Sequence, residues 1–126
     1  ISRLVEQLIS ENKVKEAEIV LDMCMKKMPV NEFGYYTLLE PIINSYYRIN
    51  KSEKARKIFD EIAIKYQENL FYYSTISDSN KNKYAEEIYI DIERYRSLVD
   101  VVLNYEDGEF LDLRMKEFND YLDLFL

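Results

Sequence analysis

The sequence contains no histidine and no tryptophan, one cysteine, and only two glycines and two prolines in 126 residues. Each scarcity excludes something. Without histidine the commonest general base and the commonest metal ligand are both missing. Ser-His and Cys-His nucleophile arrangements cannot be built within the chain. Cys24 alone cannot form a conventional zinc site or an internal disulfide. Gly34 and Gly108 stand isolated, so there is no glycine-rich phosphate loop. So few Gly and Pro cannot supply the turns of a sandwich or barrel, and they favour a few long helices with short connections. No apolar run approaches the ~20 residues of a membrane span, and no signal-peptide pattern is read at the start. The chain begins at Ile1 and not at Met. We therefore expect a piece of a longer protein, with targeting and membrane segments outside it.

What is present is an ordinary globular balance, 48% hydrophobic and 33% charged, with a formal charge of −7. One domain spanning 1–126 is expected, large enough to bury a core. Basic residues are interleaved with acids, so the clustered cations that release counterions from phosphates are lacking. Nucleic acid and anionic membrane surfaces are poor partners for such a chain.

The spacing of apolar residues predicts an all-α architecture. A first helix over about Ser2–Glu11 presents Ile1, Leu4, Val5, Leu8 and Ile9 on one face. Asn12-Lys13 breaks it, since Asn tolerates the left-handed conformation that ends helices and can also cap the next one. A second helix to about Met28 turns Val14, Ala17, Val20 or Leu21, Cys24 and Met28 inward, and Pro29 stops it. Thirty-eight residues on from Ala17 stands Ala55, and the pattern returns. Ala55, Phe59 and Ile62 take the places of Ala17, Leu21 and Cys24, while Asn50-Lys51 repeats Asn12-Lys13. Such phased small and large residues match a tetratricopeptide-like unit, a helix-turn-helix of ~34 residues. The small residue lets two helices approach closely, and the large one fills the space beside it. The repeat units are placed at about 1–31 and 36–69, with Leu39, Ile42, Ile43, Tyr46 and Tyr47 on the first helix of the second unit.

Thr37-Leu38-Leu39-Glu40 and Asn50-Lys51-Ser52-Glu53 resemble capping boxes. Pro41 predicts an irregular or late start to the intervening helix. The helix after Ser52 continues to about Ile76. Ser77-Asp78-Ser79-Asn80 is a polar break. A capping pair of helices then follows at about 79–104 and 108–125, covering an apolar face that two repeats alone would expose. The first buries Tyr84, Ile88, Ile92, Tyr95, Leu98, Val99 and Val102. The second buries Phe110 or Leu111, Met115, Phe118, Leu122 and Phe125.

Chemistry is sparse. Glu86, Glu87, Asp91 and Glu93 crowd one helix, and Glu106, Asp107, Glu109 and Asp112 crowd the next start. The second group lacks the ligand spacing of a calcium loop, and acids near a helix N-terminus are expected from the dipole. Both groups read as solvated acidic surface. Cys24 reads as a small buried hydrophobe. No catalytic residue, metal ligand or cofactor is assigned. Twelve tyrosines divide between core packing and binding area, because Tyr offers large contact area with few rotors to freeze. In tetratricopeptide-like arrays the first helices line the concave face. By phase, Arg3, Glu6, Glu40, Asn44, Tyr47 and Arg48 point there, either as a groove for a protein or peptide segment or as ordinary packing and surface.

The runs LVEQLISENKVKEAEIVLDMCMKKMP, YYTLLEPIINSYYRINKSEKARKIFDEIA and YQENLFYYSTI, in that order, carry a further likeness. From Leu4 to about Tyr73 the chain resembles the soluble C-terminal region of a family of bacterial multi-pass membrane proteins. These come mainly from Bacteroidetes, have unknown function and are related to protein O-mannosyltransferases. The marks are Pro29, Leu39-Glu40-Pro41-Ile42 and Tyr72-Tyr73. The resemblance implies a parent membrane glycosyltransferase-like protein whose catalytic acids lie outside this chain. This region would then be a non-catalytic accessory domain on the periplasmic side, binding a protein partner or glycan acceptor. A stand-alone interaction module and a ligand-free spacer are the competing readings.

Overall fold

The structure, a computed structural model, describes residues 2–27 and 39–126. Among the described residues the regular structure is entirely helical. The helices are α1 (Ser2–Ser10), α2 (Val14–Lys27), α3 (Glu40–Arg48), α4 (Ser52–Thr75), α5 (Asp78–Lys83), α6 (Ala85–Leu103) and α7 (Gly108–Asp123). The chain divides into two compact units, Ile1–Ile62 and Ala63–Leu126, and the division falls within α4.

In the first unit α1 packs on α2 and on α3. Its turns repeat bond for bond. Asn12 N–H donates to the Ile9 carbonyl at 3.0 Å and Lys13 N–H to that of Leu8 at 2.8 Å; Asn50 and Lys51 do the same to Tyr47 and Tyr46 at 3.0 and 2.9 Å. Both asparagines are left-handed, at φ 60° and 62°. This is the Schellman pattern, in which a left-handed residue past the helix end lets two N–H groups satisfy its last carbonyls. The following helices also start alike, with Ala17 N–H bonded to the Lys13 carbonyl and Ala55 N–H to that of Lys51. Asn50 therefore ends α3 and is not the cap of α4, contrary to the capping-box reading. The other such box lies partly outside the described residues, as do Ile1, Met28, Pro29, Tyr35 and Tyr36. Leu39 precedes α3 without a side-chain cap, and Pro41 sits in the first turn, where its missing N–H has no intrahelical acceptor anyway.

The core of this unit holds both phased triplets: Ala17, Leu21 and Cys24, and Ala55, Phe59 and Ile62, all buried. Two expected inward residues are not. Val14 is exposed, because it opens α2 where the first turn has no preceding helical turn beside it. Leu4 is 49% exposed while its counterpart Ile42 is 7% exposed. The difference follows from position: α3 lies on α1, whereas no described helix covers the corresponding side of α1.

In the second unit the later part of α4 supplies Ala63, Tyr66 and Leu70 to the core. Tyr66 stacks on Tyr95 of α6 at 6.1 Å between ring centroids, and Tyr95 meets Phe118 of α7 edge-on at 4.9 Å. Ile88, Leu98, Val99, Val102 and Leu111 complete the core. Met115 is exposed, not inward, since Leu111 and Phe118 set the line along which α7 meets α6 and Met115 lies off it. Phe110 is half-buried beneath the Arg114 guanidinium, 4.6 Å from its ring centre.

The long helix expected from about 79 to 104 is two helices. Ser77 caps α5, its hydroxyl accepting from Asn80 N–H at 3.3 Å. The run Asp78-Ser79-Asn80-Lys81-Asn82-Lys83 is rich in side chains that compete for backbone hydrogen bonds. Tyr84 breaks the ladder geometry at φ −102°, ψ 16°. Its N–H still reaches the Asn80 carbonyl and its carbonyl still receives Ile88 N–H. The interruption is thus a local bend in backbone geometry and not a loop.

Candidate functional site

The most connected polar cluster of the first unit lies between α2 and α4. Ala17 and Ala55 sit on the inward faces of these helices, leaving Glu18, Asp22 and Lys54 at their edges. The Lys54 ammonium donates to Glu18 Oε2 at 2.8 Å and to both Asp22 oxygens, at 3.1 and 2.8 Å. Lys51 approaches Glu18 at 3.8 Å. From α3, the buried Tyr46 donates its hydroxyl to Asp22 Oδ1 at 2.6 Å. Three helices are therefore tied through one carboxylate.

The electrostatics follow from the contacts. Partial burial pushes the Asp22 carboxyl up, but the hydrogen bonds of Lys54 and Tyr46 and the charges of Lys54 and Lys51 outweigh it and hold it below the usual carboxylate range. Burial first, and the bond to Asp22 second, push the Tyr46 phenol well above its ordinary value. Hydrogen bonds to Asp22 and Glu18 raise the Lys54 ammonium. All three groups are thus fixed in their neutral-pH forms, the opposite of a general acid or base poised near neutrality. Beside the cluster is a cleft of about 430 Å³ lined by Asp22, Met25, Tyr46, Lys54, Lys57, Ile58 and Glu61. That volume is within the range of small-molecule sites, about 300–1,000 Å³.

The residues expected on a concave face are distributed as follows. Arg48 of α3 reaches Glu6 of α1 at 3.2 Å, so these two do meet across adjacent first helices. Arg3 is exposed, and Glu40 and Asn44 are half-buried. Tyr47 is only 8% exposed, so it forms floor more than contact surface. Its neighbour Tyr46 was legible as core, but its bond to Asp22 was not, because no local spacing links residues on α2 and α3.

In the second unit one acid departs from the solvated reading. Asp91 is buried at 9% exposure. Burial raises its carboxyl, while the Arg94 charge and a hydrogen bond from Asn69 of α4 lower it in part. A polar chain also crosses the core: Gln67 Nε2 donates to the Tyr95 hydroxyl at 2.8 Å, and Arg114 pairs with Glu117 at 2.9 Å. Burial, chiefly, leaves the Tyr95 phenol pushed up to about 12. Glu106, Glu109 and Asp112 are exposed. Among the described residues no group of three His, Cys, Asp or Glu side chains is placed to hold a metal ion. No described helix is long and apolar enough to cross a membrane.

No protein-family model, curated protein or solved structure matches this chain.

Proposed function

We propose that this chain is a tetratricopeptide-like interaction domain that works by binding and not by catalysis. The observation that carries the reading is the recurrence at 38 residues: the left-handed Asn12 and Asn50, the same Schellman bonds, and the same buried triplets. Repeats of this kind stack helix pairs so that successive first helices line one surface, and that surface is where such arrays bind. Here the surface is the α1–α3 face, with Arg3, Glu6, Asn44 and Arg48 at its rim, Glu40 beside them and Tyr47 as its floor. The partner is a protein segment or acceptor. With the family resemblance, the domain is an accessory part of a membrane glycosyltransferase-like protein on its periplasmic side.

Two tests separate this from its rivals. The gene sequence upstream of Ile1 should encode several apolar spans of ~20 residues; further repeats of ~34 residues in their place would make the chain part of a stand-alone module. In the parent protein, a photo-crosslinker at Asn44 should give a discrete adduct, with none from the exposed control position Lys116. A ligand-free spacer is favoured by one observation, the Arg48–Glu6 pair that satisfies part of the face internally, and it expects no adduct at either position. Hydrolase or transferase turnover by the isolated chain, abolished by one carboxylate substitution, would overturn the non-catalytic reading.

A further inference from the structure

The charge of this protein is divided unevenly. Ile1–Ile62 carries ten Lys and Arg against ten Asp and Glu, whereas Ala63–Leu126 carries seven against fourteen, so the whole formal charge of −7 lies in the second unit. The same unit holds an aromatic row. Tyr72 and Tyr73 at the end of α4 meet edge-on at 5.7 Å, and Tyr73 meets Tyr84, between α5 and α6, at 5.7 Å. Tyr72 is 60% exposed and Tyr73 and Tyr84 are half-buried. Glu87 and Asp91 follow Tyr84 by three and seven residues along α6, so the three share one face of that helix, with Glu87 exposed and Asp91 buried. Tyrosine faces attract ammonium and guanidinium groups, and the attraction grows where carboxylates add their field. This chemistry is already present at the row itself: the Lys83 ammonium lies 5.8 Å from the centre of the Tyr84 ring. The cleft of the first unit has no such bias, since Asp22 and Glu61 balance Lys54 and Lys57.

We infer that the row Tyr72–Tyr73–Tyr84, edged by Glu87 and Asp91, docks a Lys- or Arg-rich segment of a partner protein. The partner's cations lie over the ring faces, and the acids supply the long-range attraction. Lys83 holds the place of such a cation when the partner is absent, and Arg94, near Asp91, limits how many charges the surface accepts. This surface is separate from the α1–α3 face and stands whether or not that face binds anything.

The probe is a fluorescein-labelled octa-arginine peptide, followed by anisotropy against the whole chain at about 0.15 M salt, where exposed charges farther apart than ~8 Å are screened. Wild type should bind it and should not bind octa-glutamate. Tyr72→Leu changes no charge and alters an exposed side chain. It should weaken binding by about two- to fivefold, the worth of one exposed cation–π contact. Lys83→Ala should tighten binding by a similar factor by clearing the Tyr84 face. Glu87→Gln should cost more than Asp120→Asn, which removes the same charge from α7. The inference is overturned if wild type fails to bind the peptide. It is equally overturned if Tyr72→Leu and Tyr84→Leu, both folded by circular dichroism, bind as wild type does, or if Asp120→Asn costs as much as Glu87→Gln. The last result would mean general charge attraction without a site.

Discussion

Removing a single oxygen, in Tyr46→Phe, probes the tie between α2, α3 and α4. The Tyr46 hydroxyl lies 2.6 Å from Asp22 Oδ1, and a hydrogen bond to an ionised acceptor contributes about 1.5–3 kcal/mol. The Asp22 side chain is 46% exposed, so water replaces part of what is lost, and about 1–1.5 kcal/mol is the expected destabilisation. For a unit of this size that corresponds to a fall in Tm of about 4–12 °C. The assay is thermal or urea unfolding followed by far-ultraviolet circular dichroism. If the two units unfold in separate steps, only the step of Ile1–Ile62 should move. The pH dependence fixes the mechanism. The folded pKa of Asp22 is depressed, so its contribution is fully present above the ordinary aspartate value of about 3.9 and is lost as pH falls through the depressed value. The gap between wild type and Tyr46→Phe should therefore be constant between about pH 5 and 8 and close toward about pH 2. A double-mutant cycle with Asp22→Asn should return a coupling of about 1 kcal/mol. Equal stability of Tyr46→Phe and wild type, or a gap that ignores acid, would show that the Tyr46–Asp22 bond does not hold the three helices together.

Other outcomes follow from the same contacts. Ala17→Leu and Ala55→Leu, at fully buried positions, should each destabilise by about 1–3 kcal/mol or more through overpacking, measured by urea unfolding. Phe118→Ala removes the ring that meets Tyr95 at 4.9 Å and should cost about 3–5 kcal/mol, confined to the second unit. Asp91 has the opposite sign from Asp22. Its folded pKa is raised by burial, so its contribution is present below the ordinary aspartate value and is lost as pH rises through the folded value. Asp91→Asn should thus stabilise the protein at pH 7 and be neutral near pH 3, as read from Tm against pH. Glu106 adopts φ 48°, and Glu106→Gly should stabilise by about 0.5–1 kcal/mol by relieving a left-handed non-glycine residue.

The helical class and most helix boundaries were legible because they rest on local rules. Asn12 and Asn50 announced helix ends through their tolerance of positive φ, and the phase of Ala17 and Ala55 announced their burial. What stayed hidden depends on partners distant in sequence. Nothing local marks Asp22 as the acceptor of Tyr46, or separates the buried Asp91 from the solvated Glu86 and Glu93 beside it. The break at Tyr84 was missed because Tyr84, Ile88 and Ile92 keep helical spacing across it; the weak helix formers before it were the available signal. Leu4, Val14 and Met115 were placed inward because periodicity identifies a face but not whether another helix lies against it. Among the candidate surface residues, Glu6 and Arg48 pair, and the buried Tyr47 follows the packing alternative that its place beside Ile43 and Tyr46 left open.

The proposed binding surface rests on Ile1–Ile62 containing one helix-turn-helix unit used twice. The most direct measurement is the intraresidue amide-to-Hα nuclear Overhauser effect at Asn12 and Asn50 in the labelled protein, because its strength reports the sign of φ. A strong effect is expected at both asparagines, matching their φ of 60° and 62°. A weak effect at either one, showing negative φ, would contradict the repeat.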